Sequence, residues 1–213
     1  ATPAAVMVFF YGGDFKEGGE SFGLYDGREM AARSNTILVV PNYRIGNLGF
    51  LYTGATDANV GLADQRLQVR RPPRTTPQET RVPDTTRFRS CNAGGESVLL
   101  HMSAPGVPTA AHFHRAIVES GPIAFSFKAP AQALVLADVF AEWLGCPRTA
   151  LACMQARSTA EVLHAADKAL VVPLNLSEAV MKWAPVFTGD ARFPMQPLDA
   201  FAALARMLVP DNA

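Results

Sequence analysis

Four histidines and three cysteines are the side chains in this chain best suited to proton transfer, metal ligation or nucleophilic attack. His101, His112, His114 and His164 are scattered, and no group of cysteines and histidines has metal-ligand spacing. Each histidine therefore reads as structural or solvated. Cys91 is the strongest intrinsic nucleophile, because a thiolate attacks more readily than an alcohol. Cys146 and Cys153 lie close together around Pro147. Two readings of that pair stay open: free, half-buried thiols, or a small local disulfide that would place the protein in the secretory pathway. Tyr11-Gly12-Gly13-Asp14 taken alone is a plain turn after a strand.

The elements that must position these residues follow from the apolar pattern. Val6 to Tyr11 is a continuous apolar run stopped by Gly12-Gly13, as expected of a strand buried on both faces. Thr36 to Val40 repeats it, and Gly23 to Ala32 supplies turn residues and a short helical pattern between the two. Strand, connection, strand with buried strands predicts a mainly parallel α/β sheet. Ser97 to Met102 has helical spacing with Gly94-Gly95 at its start, and Arg115 to Gly121 reads as another buried strand. Pro130 to Leu144 is the clearest helix, with Leu134, Val135, Val139, Trp143 and Leu144 as its expected apolar face. A further helix is expected from Ser158 or Thr159, with Glu161 supporting its amino end.

The chain has 213 residues, 49% of them hydrophobic, with 19 basic and 19 acidic side chains. That length supports one ordinary domain with a core. The charge balance gives no electrostatic reason to expect nucleic acid or an anionic membrane as partner. No apolar run reaches the roughly 18 residues of a membrane-spanning helix. The first residues lead straight into a strand, so Ala1 is expected to be an internal cut point.

One segment departs from this pattern. Residues 68–92 hold six arginines, four prolines and five threonines, with almost no large apolar side chain. Gln68 to Pro77 is not expected to form a buried strand or a stable helix, since proline removes donors and breaks both.

Several stretches together resemble the type-B carboxylesterases, an α/β-hydrolase family that includes cholinesterases, fungal lipases and non-catalytic neuroligins. They are Val6 to Phe15, Leu24-Tyr25-Asp26-Gly27, Val39 to Gly46, Gly49-Phe50-Leu51, Asn59 to Leu67, Ala93-Gly94-Gly95 and Phe113 to Gly121. Their shared order carries the resemblance, which covers nearly the whole chain outside 68–92. It implies a single incomplete α/β-hydrolase domain over 1–213: a mostly parallel sheet with flanking helices, the nucleophile-strand region 68–92 being irregular. It also implies a small ester or lipid ester as substrate, secretion, and no cofactor, metal or nucleic acid.

Ester hydrolysis in such a family uses a serine on a tight strand-to-helix turn, G-x-S-x-G, activated by a histidine that a carboxylate orients. The corresponding turn here reads Ser90-Cys91-Asn92-Ala93-Gly94-Gly95. Asn92 stands at the serine's position, and an amide has no proton for a histidine to remove. Ser90 replaces the first glycine of the motif. Cys91 sits one residue off register. Gly95-Glu96-Ser97 offers a Gly-x-Ser, but Val98-Leu99 follow, so Ser97 reads as an ordinary first-turn helix residue.

By the same resemblance Gly12, Gly13, Asp14 and Ala93 correspond to the oxyanion hole, with Asp14 replacing a glycine. Trp183 to Asp190 resembles the stretch before the family's acid, so the acid and histidine are expected beyond residue 213. Cys146 and Cys153 correspond to a small disulfide loop.

The length of 68–92 suits an active relative while its residue types do not, which points to a shifted frame or a misplaced splice boundary. An esterase represented by an incomplete, locally altered chain is one expectation. A non-catalytic cholinesterase-like adhesion or binding domain is the alternative.

Overall fold

The structure is a computed structural model that describes residues 4–70, 87–90, 93–104, 113, 115–121, 127–171, 181–189, 196, 198–199 and 202. Its first strand, β1 (Ala5–Phe10), forms because aromatic and β-branched residues suit a pleated surface. A single 3-10 turn at Gly23–Tyr25 and helix α1 (Arg28–Ser34) connect it to β2 (Thr36–Val39). Helices α2 (Gly46–Phe50) and α3 (Val60–Arg70) follow, then β3 (Arg87–Ser90), α4 (Ala93–Ser103) and β4 (Arg115–Val118). A helical layer completes the described residues: α5 (Pro130–Leu144), α6 (Leu151–Gln155) and α7 (Thr159–Lys168).

Among the described residues four strands form one parallel sheet in the order β2-β1-β3-β4. The mainly parallel α/β architecture expected from the sequence is present. The expectation of an irregular 68–92 is corrected in part. Helix α3 continues to Arg70, and Arg87–Ser90 forms a strand in the middle of the sheet. Its backbone pairs with β1 (Val8 opposite Phe88, Phe10 opposite Ser90) and with β4 (Phe88 opposite Ala116). A strand paired on both sides satisfies its backbone groups whatever its side chains are, so ladder pairing overrides composition here. Residues 71–86, 91 and 92 lie outside the described residues.

Burial of the strands is one-sided where two-sided burial was expected. Val6, Val8 and Phe10 are buried and pack with Val98 and Phe113, whereas Ala5, Met7 and Phe9 are half-covered. Strand β4 is a second correction: it is the last strand of the sheet among the described residues, and Ile117 and Val118 are 38% and 37% exposed. Strand β2, at the other end, is half-buried throughout.

Helix α5 is where the sequence placed it, but it buries a different face. Ala133, Leu136, Ala137, Phe140, Ala141 and Leu144 point inward, while Val135 and Trp143 are exposed. The expected stripe followed the largest side chains. The actual one alternates large residues with three alanines: Ala141 shares a core with Ala165 and Ala166 of α7, and Ala133 packs with Ala58 and Val186. Helix α7 starts as expected: Ser158 Oγ accepts from the Glu161 N–H, and Glu161 Oε2 accepts from the Ser158 N–H at 2.8 Å. Cys146 and Cys153 form a disulfide with Cα atoms 5.8 Å apart, tying the end of α5 to α6.

Candidate active site

After Phe10 the chain turns sharply through Tyr11 to Phe15. Gly13 has φ 122°, Asp14 φ 54° and Phe15 φ 58°. The Gly13 carbonyl closes the turn, accepting from the N–H groups of Lys16 and Glu17 at 2.8 and 3.0 Å. A Cβ at Gly13 would lie 2.2 Å from the Glu17 carbonyl oxygen, so the turn requires glycine there. Left-handed backbone at Asp14 and Phe15 costs energy, and the surroundings of Phe15 sustain it. Its fully buried ring contacts Phe50 and Phe127 at centroid distances of 5.0 and 6.2 Å. Its carbonyl accepts from the Gly46 N–H at 2.6 Å.

The root of the loop is clamped by two tyrosines. The rings of Tyr11 and Tyr43 stack at 4.6 Å, and the Tyr43 hydroxyl donates to the Tyr11 carbonyl at 2.8 Å. Burial raises the Tyr43 hydroxyl far above its ordinary pKa, so it remains a donor at every physiological pH. Arg44, the next residue, grips Asp64 of α3 with Nε and Nη2, both at 2.8 Å. Burial pushes the Asp64 carboxyl up, but hydrogen bonds from the Arg44 side chain and backbone outweigh it and leave it below the usual range.

Because Phe10 pairs with Ser90, the carboxyl ends of β1 and β3 are level. The glycine loop and the amino end of α4 therefore leave the sheet side by side, and Phe15, Ala93 and Leu100 share one core cluster. The first N–H groups of α4 have no intrahelical carbonyl to bond and sit at the positive end of the helix dipole. Together with the loop's backbone they can stabilise an anion or a developing oxyanion. Gly95 lets this helix sit tight against the exit of β4, since a Cβ there would be 2.7 Å from the Glu119 carbonyl oxygen. An open pocket of about 580 Å³ flanks the loop, walled by Gly12, Gly13, Glu17, Phe22 and Tyr25 among others.

Four residues singled out from sequence, Gly12, Gly13, Asp14 and Ala93, are thus carried by two adjoining elements. Asn92 and Cys91 lie outside the described residues, as do His112 and His114. Ser97 is fully buried. Its Oγ donates to the Ala93 carbonyl at 2.8 Å and accepts from Gln65 Nε2 at 3.1 Å. The Gln65 Oε1 accepts from His101 Nε2 at 2.9 Å, which sets the Nε2–H tautomer. Ser97 and His101 are structural, as expected. His164 stands on α7 with its ring against the exposed Trp143 at 6.1 Å.

Glu96 was missed. It is fully buried in the first turn of α4, and neither carboxylate oxygen has a hydrogen-bond partner among the described residues. Burial, with the Asp14 charge adding to it, pushes its carboxyl up to about 8, so it carries a proton at neutral pH. Its environment emerges only in the structure: α4 is buried from Ala93 through His101, and a carboxyl group in such a helix has no water to reach. Gln65, Asn59 and Lys128, all buried polar residues with specific partners, were missed as well. Among the described residues no cluster of three or more His, Cys, Asp or Glu is placed to hold a metal.

The carboxylesterase family model matches residues 1–210. The chain is 31% identical over 207 residues to acetylcholinesterase 4 of Caenorhabditis briggsae, covering 93% of this chain and 33% of that protein. It is 33% identical over 197 residues to the cholinesterase of Mus musculus, covering 88% and 32% respectively. With the crystal protein of Dictyostelium discoideum it shares 33% identity over 185 residues, covering 86% and 33%. Among solved structures it superposes on a PNB esterase with TM-score 0.79 at 26% identity, covering all of this chain and 49% of that one. A thermophilic PNB esterase gives 0.76 at 28%, covering 96% and 42%. The chain spans about a third of the length of these curated relatives.

Proposed function

The chain belongs to the carboxylesterase family, and from that premise we propose that it is the part of an esterase bearing the oxyanion loop and nucleophile turn, without ester-hydrolysing activity as it stands. The observation that carries the proposal is the glycine loop packed beside the amino end of α4, with Asn92 immediately before that helix. In this reading the N–H groups of Gly12, Gly13 or Asp14 and of Ala93 surround the position of an ester's developing oxyanion. A backbone donor of this kind contributes on the order of 3–4 kcal/mol to the transition state. Attack itself requires a serine hydroxyl whose proton passes to a histidine. Asn92 supplies neither, and the proposal assigns no residue here to the histidine or the acid.

The substrates of the whole protein are proposed to be small carboxylic or lipid esters. A secretory location is proposed as well, supported by the Cys146–Cys153 disulfide. No described helix is long and apolar enough to cross a membrane. Residues 68–92 are proposed to come from a shifted frame or misplaced splice boundary, and sequencing the transcript across them tests this: recovery of the same residues ends the idea.

One observation favours a second reading, a non-catalytic cholinesterase-like adhesion or binding domain. A strand does occupy the middle of the sheet at Arg87–Ser90, so a sheet with this sequence keeps its central position filled. A chromogenic short-chain ester separates the two. This chain is expected to leave the uncatalysed rate unchanged, and turnover by it would overturn the proposal. A complete version with an apolar helix and strand, a serine at 92 and the carboxyl-terminal portion is expected to hydrolyse the ester. Its inactivity would favour the binding domain.

A further inference from the structure

The only use the proposed chemistry makes of α4 is its first N–H groups, which leaves Glu96 unexplained. A carboxyl group with no exposed surface and, among the described residues, no partner on either oxygen is a costly feature of a helix that otherwise buries Val98, Leu99 and Leu100. Its surroundings make it consequential. Phe15 of the glycine loop and Ala93 and Leu100 of α4 share one cluster, so loop and helix pack into the same core. Asp14, on the loop, has a left-handed backbone, φ 54°, next to Gly13 at φ 122°, and its charge acts on Glu96.

We propose that Glu96 is a proton-operated latch between α4 and the glycine loop: its protonated form allows the loop to pack on the helix, and loss of the proton to solvent drives Asp14 and the loop away.

The neighbouring elements carry several ionisable groups, and strand β3, which packs on α4, carries Arg87 and Arg89 in its sequence. The loop contributes Asp14, Lys16 and Glu17, and β4 with its exit contributes Arg115 and Glu119. Helix α3 contributes Arg66 and Asp64, the latter engaged by Arg44, and α4 itself contributes His101, engaged by Gln65. Among the described residues Asp14 is the one whose charge acts on Glu96, and it opposes ionisation. Burial and that charge together hold the Glu96 proton up to about pH 8. A metal ion between the two carboxylates is disfavoured, because it would face the positive end of α4. The latch concerns the loop assigned above to the oxyanion, but it operates whether or not the loop serves ester chemistry.

Amide hydrogen exchange of residues 11–18 between pH 5.5 and 8.5, corrected for intrinsic exchange, tests the latch without an activity assay. In the unaltered chain the opening equilibrium is expected to rise by up to about tenfold per pH unit and to level off above pH 8. Glu96→Gln is expected to remove the rise. Asp14→Asn is expected to move the levelling point to lower pH, and it decides the matter alone if Glu96→Gln does not fold. A flat profile in the unaltered chain, an undiminished rise in Glu96→Gln, or an unmoved levelling point in Asp14→Asn would overturn the latch. So would calcium chloride suppressing the exchange at fixed pH, since that identifies a cation site.

Discussion

Asn59 and Val186 are 127 positions apart, yet the asparagine amide forms two hydrogen bonds with the backbone of that one residue. Its Nδ2 donates to the Val186 carbonyl at 2.8 Å, and its Oδ1 accepts from the Val186 N–H at 2.7 Å. Asn59 is buried and left-handed, φ 60°, just ahead of α3, while Val186 bridges to Lys128 ahead of α5. The pair therefore joins the segment that leads into the sheet's helices to the segment that closes the helical layer.

Asn59→Ala is expected to lower stability by about 2–4 kcal/mol. The substitution strands a buried carbonyl and a buried N–H, and alanine is less tolerant than asparagine of positive φ. The shift of the urea midpoint measures it. A change below about 0.5 kcal/mol would mean that water replaces the amide.

Glu96 gives stability a pH dependence of definite sign. The carboxyl is raised in the folded chain from the ordinary 4.5 to about 8. Below the ordinary value both folded and unfolded chains hold the proton, so the contribution is intact. As pH rises through the window between the two values, the unfolded chain releases its proton while the folded chain keeps it, and stability falls. The loss across the window is on the order of a few kcal/mol. The difference in unfolding free energy between the unaltered chain and Glu96→Gln, measured at pH 5 and pH 8, should carry it.

Reducing the Cys146–Cys153 disulfide is expected to cost about 2–3 kcal/mol, the entropy of closing a short loop. Trp183 reports on this layer, because its ring meets Phe140 edge-on at 5.8 Å and its Nε1 donates to the Ala166 carbonyl. Thermal unfolding followed by tryptophan fluorescence, with and without reductant, provides the measurement.

Gly13→Ala is expected to disrupt the loop. The added Cβ would meet the Glu17 carbonyl at 2.2 Å on a backbone of φ 122°. A destabilisation of about 2 kcal/mol or more follows from strain of that kind, accompanied by faster amide exchange confined to residues 11–18.

Much of the fold was legible because local rules and tertiary packing agreed. Glycines after β1, proline at the start of α5 and the Ser158–Glu161 capping box each constrain backbone within a few residues, so they read correctly in isolation. The apolar face of α5 did not read correctly. Size suggested Val135 and Trp143, but packing selected the alanines, Ala141 against α7 and Ala133 against Ala58 and Val186, a preference that exists only once the partners are known. Strand β3 failed for a related reason. Arg87, Phe88, Arg89 and Ser90 have no strong strand pattern, and their ladder comes from β1 and β4, which lie far away in sequence.

The sequence by itself determined the α/β class, the family, and the positions of β1, β2, α5 and α7, since these depend on residue type and order along one dimension. Only the tertiary structure decided that the loop after β1 and the amino end of α4 leave the sheet side by side, that Ser97 and His101 are bound through Gln65, and that Glu96 is sealed from water. Burial and distance depend on how separate elements stack, and a carboxyl group's chemistry is set by the water and charges around it more than by its place in the chain.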